Sequence, residues 1–93
     1  MQSAPFPVIS SAGLVTWTNP ATPPTQWEME IRLYDGSTSV FFTSQITLAG
    51  TAMSFDAYGN GWPGGCRVVL IGLDADGNVS FAPTLSNTLT KDL

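Results

Sequence analysis

The chain has no histidine and only one cysteine, Cys66, among its 93 residues. Without histidine, Ser-His-Asp and Cys-His catalysis are excluded, together with the usual zinc sites. A lone cysteine allows no internal disulfide. Because Cys66 stands beside an apolar run, its thiol is expected to be buried and inert. Cations are scarce too: Arg32, Arg67 and Lys91 face seven acidic residues, for a net charge of −4. A phosphate-binding surface needs clustered Lys and Arg, so nucleic acid is not an expected partner, and anionic membranes gain no polybasic hold. The longest aliphatic run, Val68 to Leu73, is far too short to cross a bilayer, so no membrane insertion is expected. The opening Met1-Gln2-Ser3-Ala4-Pro5 has neither positive charge nor an unbroken apolar stretch, and a secretory leader is not expected.

Charged residues make up 11% of the chain, against about 25% in an average domain, while the apolar fraction of 43% is ordinary. Low charge with abundant Thr, Ser, Gly and Pro suits strands and tight turns better than exposed helices built on Glu and Lys. The length fits one domain, residues 1–93, with a core large enough to fold without a metal or disulfide.

No stretch keeps a helical period. The chain reads instead as short strand segments punctuated by Pro, Gly, Asn and Asp. Pro7 to Ser10 is an edge strand, and Gly13 to Thr18 a second one that stops at Asn19-Pro20. Trp27 to Tyr34 alternates clearly: Trp27, Met29, Ile31 and Leu33 share one face, and Glu28, Glu30, Arg32 and Tyr34 the other. Asp35-Gly36 marks a turn. Val40 to Leu48 supplies one or two strands, and Thr51 to Asp56 another. A long Gly-rich turn, residues 57–65, precedes the strand Cys66 to Leu73. Asp74 to Asn78 makes a hairpin turn, and the last strand starts at Val79. The expected fold class is all-β: about seven antiparallel strands in a two-sheet sandwich, with Trp17, Trp27, Met29, Ile31, Leu33, Val68 and Leu70 in its core.

Pro7, Trp17, Trp27-x-Met29-x-Ile31 and Cys66-x-Val68-x-Leu70-x-Gly72-x-Asp74-x-x-Gly77 follow one another in an informative order. With Ser80, Pro83 and Ser86 in the last segment, the chain resembles a fibronectin type III or immunoglobulin-like domain over nearly its whole length. The resemblance implies an antiparallel two-sheet sandwich. Cys66 stands where that family usually carries the tyrosine of its tyrosine corner, so the corner's hydroxyl hydrogen bond is lacking.

Few residues offer chemistry. Glu28 and Glu30 lie on one strand face at roughly 6.5–7 Å by strand rise, a spacing that overlaps that of glycosidase carboxylates, but solubilising residues on a wet face account for them better. Asp74, Asp76 and Asn78 resemble the start of a calcium loop; no carboxylate follows in Val79 to Leu89 to complete it, and a turn explains the same residues. Asn78-Val79-Ser80 is a glycosylation sequon, relevant only in a eukaryotic secreted protein. Tyr58 and Trp62, with Pro63 in the Gly-rich turn, are candidates to stack on a carbohydrate or, for Trp62, to plug the end of the sandwich. No cofactor or metal is expected.

The most informative pattern is Arg67, Val69, Ile71 and Leu73. If Val68 and Leu70 face the core, these aliphatics lie on the outer face of the same strand, beside Glu28, Glu30 and Arg32, with Phe41 or Phe42 adding to the patch. A strand apolar on both faces is expected where both faces are covered, by neighbouring stems or by a protein partner. The expected function is therefore non-enzymatic. It is that of a decoration or assembly protein of a larger particle such as a phage virion, bound to a protein partner or to its own copies at a virion surface. The alternative is an accessory or adhesion domain of a bacterial secreted protein, extracellular and carbohydrate-binding.

Overall fold

The computed structural model describes residues 1–34, 40–61 and 66–86, and side chains within those spans except at 31–34, 40–45 and 66. Seven strands run in the order β1 (Val8–Ile9), β2 (Leu14–Thr16), β3 (Gln26–Tyr34), β4 (Val40–Ala49), β5 (Ser54–Asp56), β6 (Cys66–Leu73) and β7 (Val79–Leu85). They form two antiparallel sheets, β1-β2-β5 and β4-β3-β6-β7. The fold is all-β, as expected, and the described residues contain no α-helix.

The long central strand β3 owes its place to its alternation. Gln26 to Tyr34 pairs with β4 on one side and β6 on the other, with Trp27 opposite Leu48 and Gly72, and Met29 opposite Ile46 and Leu70. Trp27, Met29, Val68 and Leu70 from this sheet meet Ile9, Val15 and Trp17 from the β1-β2 side, and all are buried together between the sheets. The core expected from the sequence is thus found wherever side chains are described; those of Ile31 and Leu33, and the Cys66 thiol, lie outside the described side chains. Ile9 and Val15 join it because β1 and β2 alternate in the same way, with Val8, Leu14 and Thr16 turned outward.

Val40–Ala49 is one continuous strand. β5 is shorter than the expected Thr51 to Asp56, because Ala52 N–H donates to the Ala49 carbonyl at 2.9 Å and closes a turn over residues 49–52. That turn carries the chain from one sheet to the other. Its Gly50 approaches the β2–β3 connection so closely that a Cβ there would overlap the Pro24 carbonyl oxygen. The described part of the β5–β6 connection contains a 3-10 turn, Tyr58–Asn60, held by Asp56: its Oδ1 accepts from Gly59 N–H at 2.9 Å and its carbonyl accepts from Asn60 Nδ2 at 2.7 Å. The Asp35-Gly36 turn lies outside the described residues.

The expected hairpin turn between β6 and β7 is present and its chemistry is explicit. Asp74 Oδ1 accepts from the backbone N–H of both Asp76 and Asn78 at 2.9 Å, and Gly77 takes a φ of 83° that side chains disfavour. β7 shifts register against β6 on either side of Gly72, in the stretch where Pro83 removes a ladder donor. The N-terminal segment seals the far edge of β7. Ala4 N–H donates to the Ala82 carbonyl and Ala82 N–H to the Gln2 carbonyl, both at 2.8 Å, while Thr84 Oγ1 donates to the Pro5 carbonyl at 2.9 Å. From there the chain crosses to β1, so one short segment borders both sheets.

Candidate protein-interaction face

The outer face of the β4-β3-β6-β7 sheet is fixed by what the inner face buries. Val68 and Leu70 are in the core, so alternation turns Arg67, Val69, Ile71 and Leu73 the other way. Register sets their neighbours: Glu28 opposes Ile71, Glu30 opposes Val69, and Arg32 opposes Arg67. On the β7 side, Leu85 opposes Val69 and Val79 opposes Leu73. The backbone therefore brings Glu28, Glu30, Arg32, Val69, Ile71 and Leu73 onto one surface; the Arg32 side chain and those of Phe41 and Phe42 lie outside the described side chains.

The aliphatics are not equally available. Val69 is only 5% exposed although it does not belong to the core cluster, whereas Ile71, Leu73 and Leu85 are half-buried. Flanked by Glu30 and Leu85 across the ladder, Val69 serves as the floor of the face, and Ile71 and Leu73 are the apolar groups a partner would meet. Arg67 is held at one end, its Nε donating to the Ser86 carbonyl at 2.9 Å. Ser86 is itself buried, and its Oγ accepts from Val68 N–H at 2.8 Å, continuing the ladder past the end of β7.

Glu28 and Glu30 sit close enough to interact. The Glu28 carboxyl is held above the usual glutamate range, first by partial burial, then by the charge of Glu30 and by a hydrogen bond with that side chain. A carboxyl raised in the folded chain contributes stability that is fully present below its unfolded value, about 4.3, and is lost as pH rises through the folded value. Glu28→Gln removes that loss and is expected to stabilise the protein at neutral pH by less than about 1 kcal/mol, as befits a half-exposed group. In acid the variant and the wild type should melt alike. Thermal melts at both pH values check this, and an equal difference at both would refute it.

Tyr58 occupies the 3-10 turn with its ring laid over Gly13, half-buried and packed against the core cluster. One ring face is therefore covered by backbone. Trp62, with Pro63, lies outside the described residues. Asp74 directs a carboxylate oxygen to two backbone N–H groups, which explains the Asp74–Asn78 pattern as a turn.

One surface was missed in the sequence. The small sheet turns Phe6 (73% exposed), Val8 (56%) and Leu14 (41%) outward from β1, β2 and the segment before them. The signal was the alternation Phe6-x-Val8 around the buried Pro7 and Ile9. Comparisons with protein families, curated proteins and solved structures gave no match to this chain.

Proposed function

We propose that this chain is a non-enzymatic interaction module of the fibronectin type III-like kind, a decoration or assembly protein of a larger particle such as a phage virion, exposed at its surface. The observation that carries the reading is β6, which places Val68 and Leu70 in the core while Ile71 and Leu73 stay half-exposed on the other face beside Glu28 and Glu30. Apolar groups ringed by polar ones are the composition of a protein contact, with a dry centre and a charged rim. The family resemblance draws support from the strand order. β4 joins the sheet of β3, β6 and β7, unlike the seven-strand immunoglobulin constant arrangement, which puts its fourth strand on the opposite sheet. The non-enzymatic reading rests on the lack of histidine and on a single cysteine. A sugar-binding role draws less support, because one face of Tyr58 is taken by Gly13.

Ile71→Asp tests the reading. A charge forced into a dry contact should abolish attachment to the particle, while the fold persists because Ile71 lies outside the core cluster. Circular dichroism and co-sedimentation with the source particle are the measurements. Folded Ile71→Asp protein that still co-sediments would move the contact to Phe6, Val8 and Leu14 on the opposite sheet.

A further inference from the structure

The edge strands of a sandwich turn a row of N–H and C=O groups outward and offer pairing to any chain that arrives extended. Most edges of this fold are protected. β1 and β5 are short, with two and three residues. The β7 edge carries Pro83 and is sealed by the hydrogen bonds that join Ala82 to Gln2 and Ala4. β4 is different: with ten residues it is the longest described strand, and among the described residues it pairs only with β3. From Val40 to Ala49 it carries no charge and no proline, the residues that usually blunt an edge. The ladder fixes which of its groups are offered. Gly50 N–H donates to the Thr25 carbonyl directly opposite at 3.1 Å, so every second pair from there is a hydrogen-bonded one: Leu48, Ile46 and Ser44 with Trp27, Met29 and Ile31. The alternate residues Thr43, Gln45 and Thr47 turn both backbone groups away from β3. Ala49 obeys the same alternation, since its carbonyl leaves the ladder and accepts from Ala52 N–H.

We propose that β4 pairs antiparallel with β4 of a second copy, about a two-fold axis normal to the sheet that passes through the Gln45 pair. Thr43-x-Gln45-x-Thr47 reads the same in both directions. On this axis Gln45 opposes Gln45 and Thr43 opposes Thr47, and each of these pairs exchanges two backbone hydrogen bonds. Threonine against threonine is a favourable cross-strand pair, and no charge meets its like. The charged residues nearest in register, Glu28, Glu30 and Arg32 on β3, lie three strand spacings, roughly 14 Å, from β3 of the other copy, beyond the Debye length of about 8 Å. This palindrome selects a second copy over an unrelated extended segment, which would need no such symmetry. The two four-stranded sheets become one of eight strands. Because the axis is normal to the sheet, Ile71 and Leu73 of both copies face the same way, and a particle meets a contact of double width. The edge and that face are separate surfaces, so the pairing does not depend on the function proposed above.

Sedimentation velocity on the purified chain at rising concentration should show a monomer–dimer equilibrium. Gln45→Pro should weaken it by roughly tenfold or more, because it removes a central donor from both copies. The fold should persist, since that N–H points away from β3 and proline is tolerated on such an edge. Gln45→Lys and Gln45→Glu keep the backbone donor but set like charges against each other at the axis. Each should weaken pairing by about fivefold, and an equimolar mixture of the two should restore most of it. Circular dichroism checks that every variant is folded. Ile71→Asp should dimerise as the wild type does. A chain that stays monomeric at every concentration, a folded Gln45→Pro protein that dimerises normally, or a mixture no better than its components would overturn the pairing. A dimer lost in Ile71→Asp would overturn it too, by moving self-association to the outer face. None of these results alters the co-sedimentation test of Ile71→Asp, so the two readings fail separately.

Discussion

Trp27→Ala is expected to lower the stability of the fold by about 3–5 kcal/mol, the range for removing a large aromatic from a packed core. A domain of this length has only about 5–14 kcal/mol in total, so the variant should be partly unfolded at ambient temperature. The size of the effect follows from where the ring sits. Trp27 is 0% exposed, its ring centroid is 6.3 Å from that of Trp17 in an edge-to-face arrangement, and Phe81 packs against it at 5.6 Å. It lies near the start of β3 and packs against both Trp17 and Phe81, so no single neighbour can move in to fill the space. Its Nε1 also donates to Asn19 Oδ1 and to the Gly50 carbonyl, both at 3.1 Å, and truncation leaves that carbonyl without one of its donors. Trp27→Phe should fall between, refilling part of the volume while losing both hydrogen bonds. Urea unfolding of the three proteins measures this; a Trp27→Ala midpoint equal to wild type would remove Trp27 from the centre of the core.

Why the strand β3 was legible and its surroundings were not is a matter of range. Trp27-x-Met29 on one face and Glu28-x-Glu30 on the other is a period-two signal contained in a few residues, and burial follows it. The Asp74–Asn78 turn is equally local, because Asp74 holds it with its own side chain. The N-terminal seal on β7 joins Ser3 to Ala82, and no spacing rule connects residues so far apart. The turn over residues 49–52 shortens β5 for the same reason: its place depends on Gly50 meeting Pro24 and Thr25, not on strand preference nearby. The interaction face was half legible. Alternation told which residues of β6 point outward, but the burial of Val69 depends on the heights of its neighbours on β3 and β7, which the pattern along one strand does not contain.

Asn19 is the clearest case of a residue whose sequence role understated its structural one, and it carries the second large prediction. In the sequence Asn19-Pro20 ends β2. In the fold its amide gathers both core tryptophans: Oδ1 accepts from Trp17 Nε1 at 2.9 Å and from Trp27 Nε1 at 3.1 Å, while Nδ2 donates to the Gly50 carbonyl at 3.1 Å. One side chain thereby ties the β2–β3 connection to the turn that leads into β5. Asn19→Ala should cost about 1–3 kcal/mol, because the Trp17 donor loses its acceptor in a part-buried site whereas Trp27 keeps Gly50. Asn19→Asp should cost less than Asn19→Ala. It retains an acceptor for both indoles but sets a carboxylate oxygen against the Gly50 carbonyl in place of a donor. The decisive measurement is a double-mutant cycle with Trp17→Phe, which takes away the indole N–H and leaves an aromatic ring. In the Trp17→Phe background the cost of Asn19→Ala should fall by about 0.5 kcal/mol or more, since the donor it would orphan is already gone. Strict additivity in chemical denaturation would show that the Trp17–Asn19 hydrogen bond contributes nothing and that Asn19 acts only through Trp27 and Gly50.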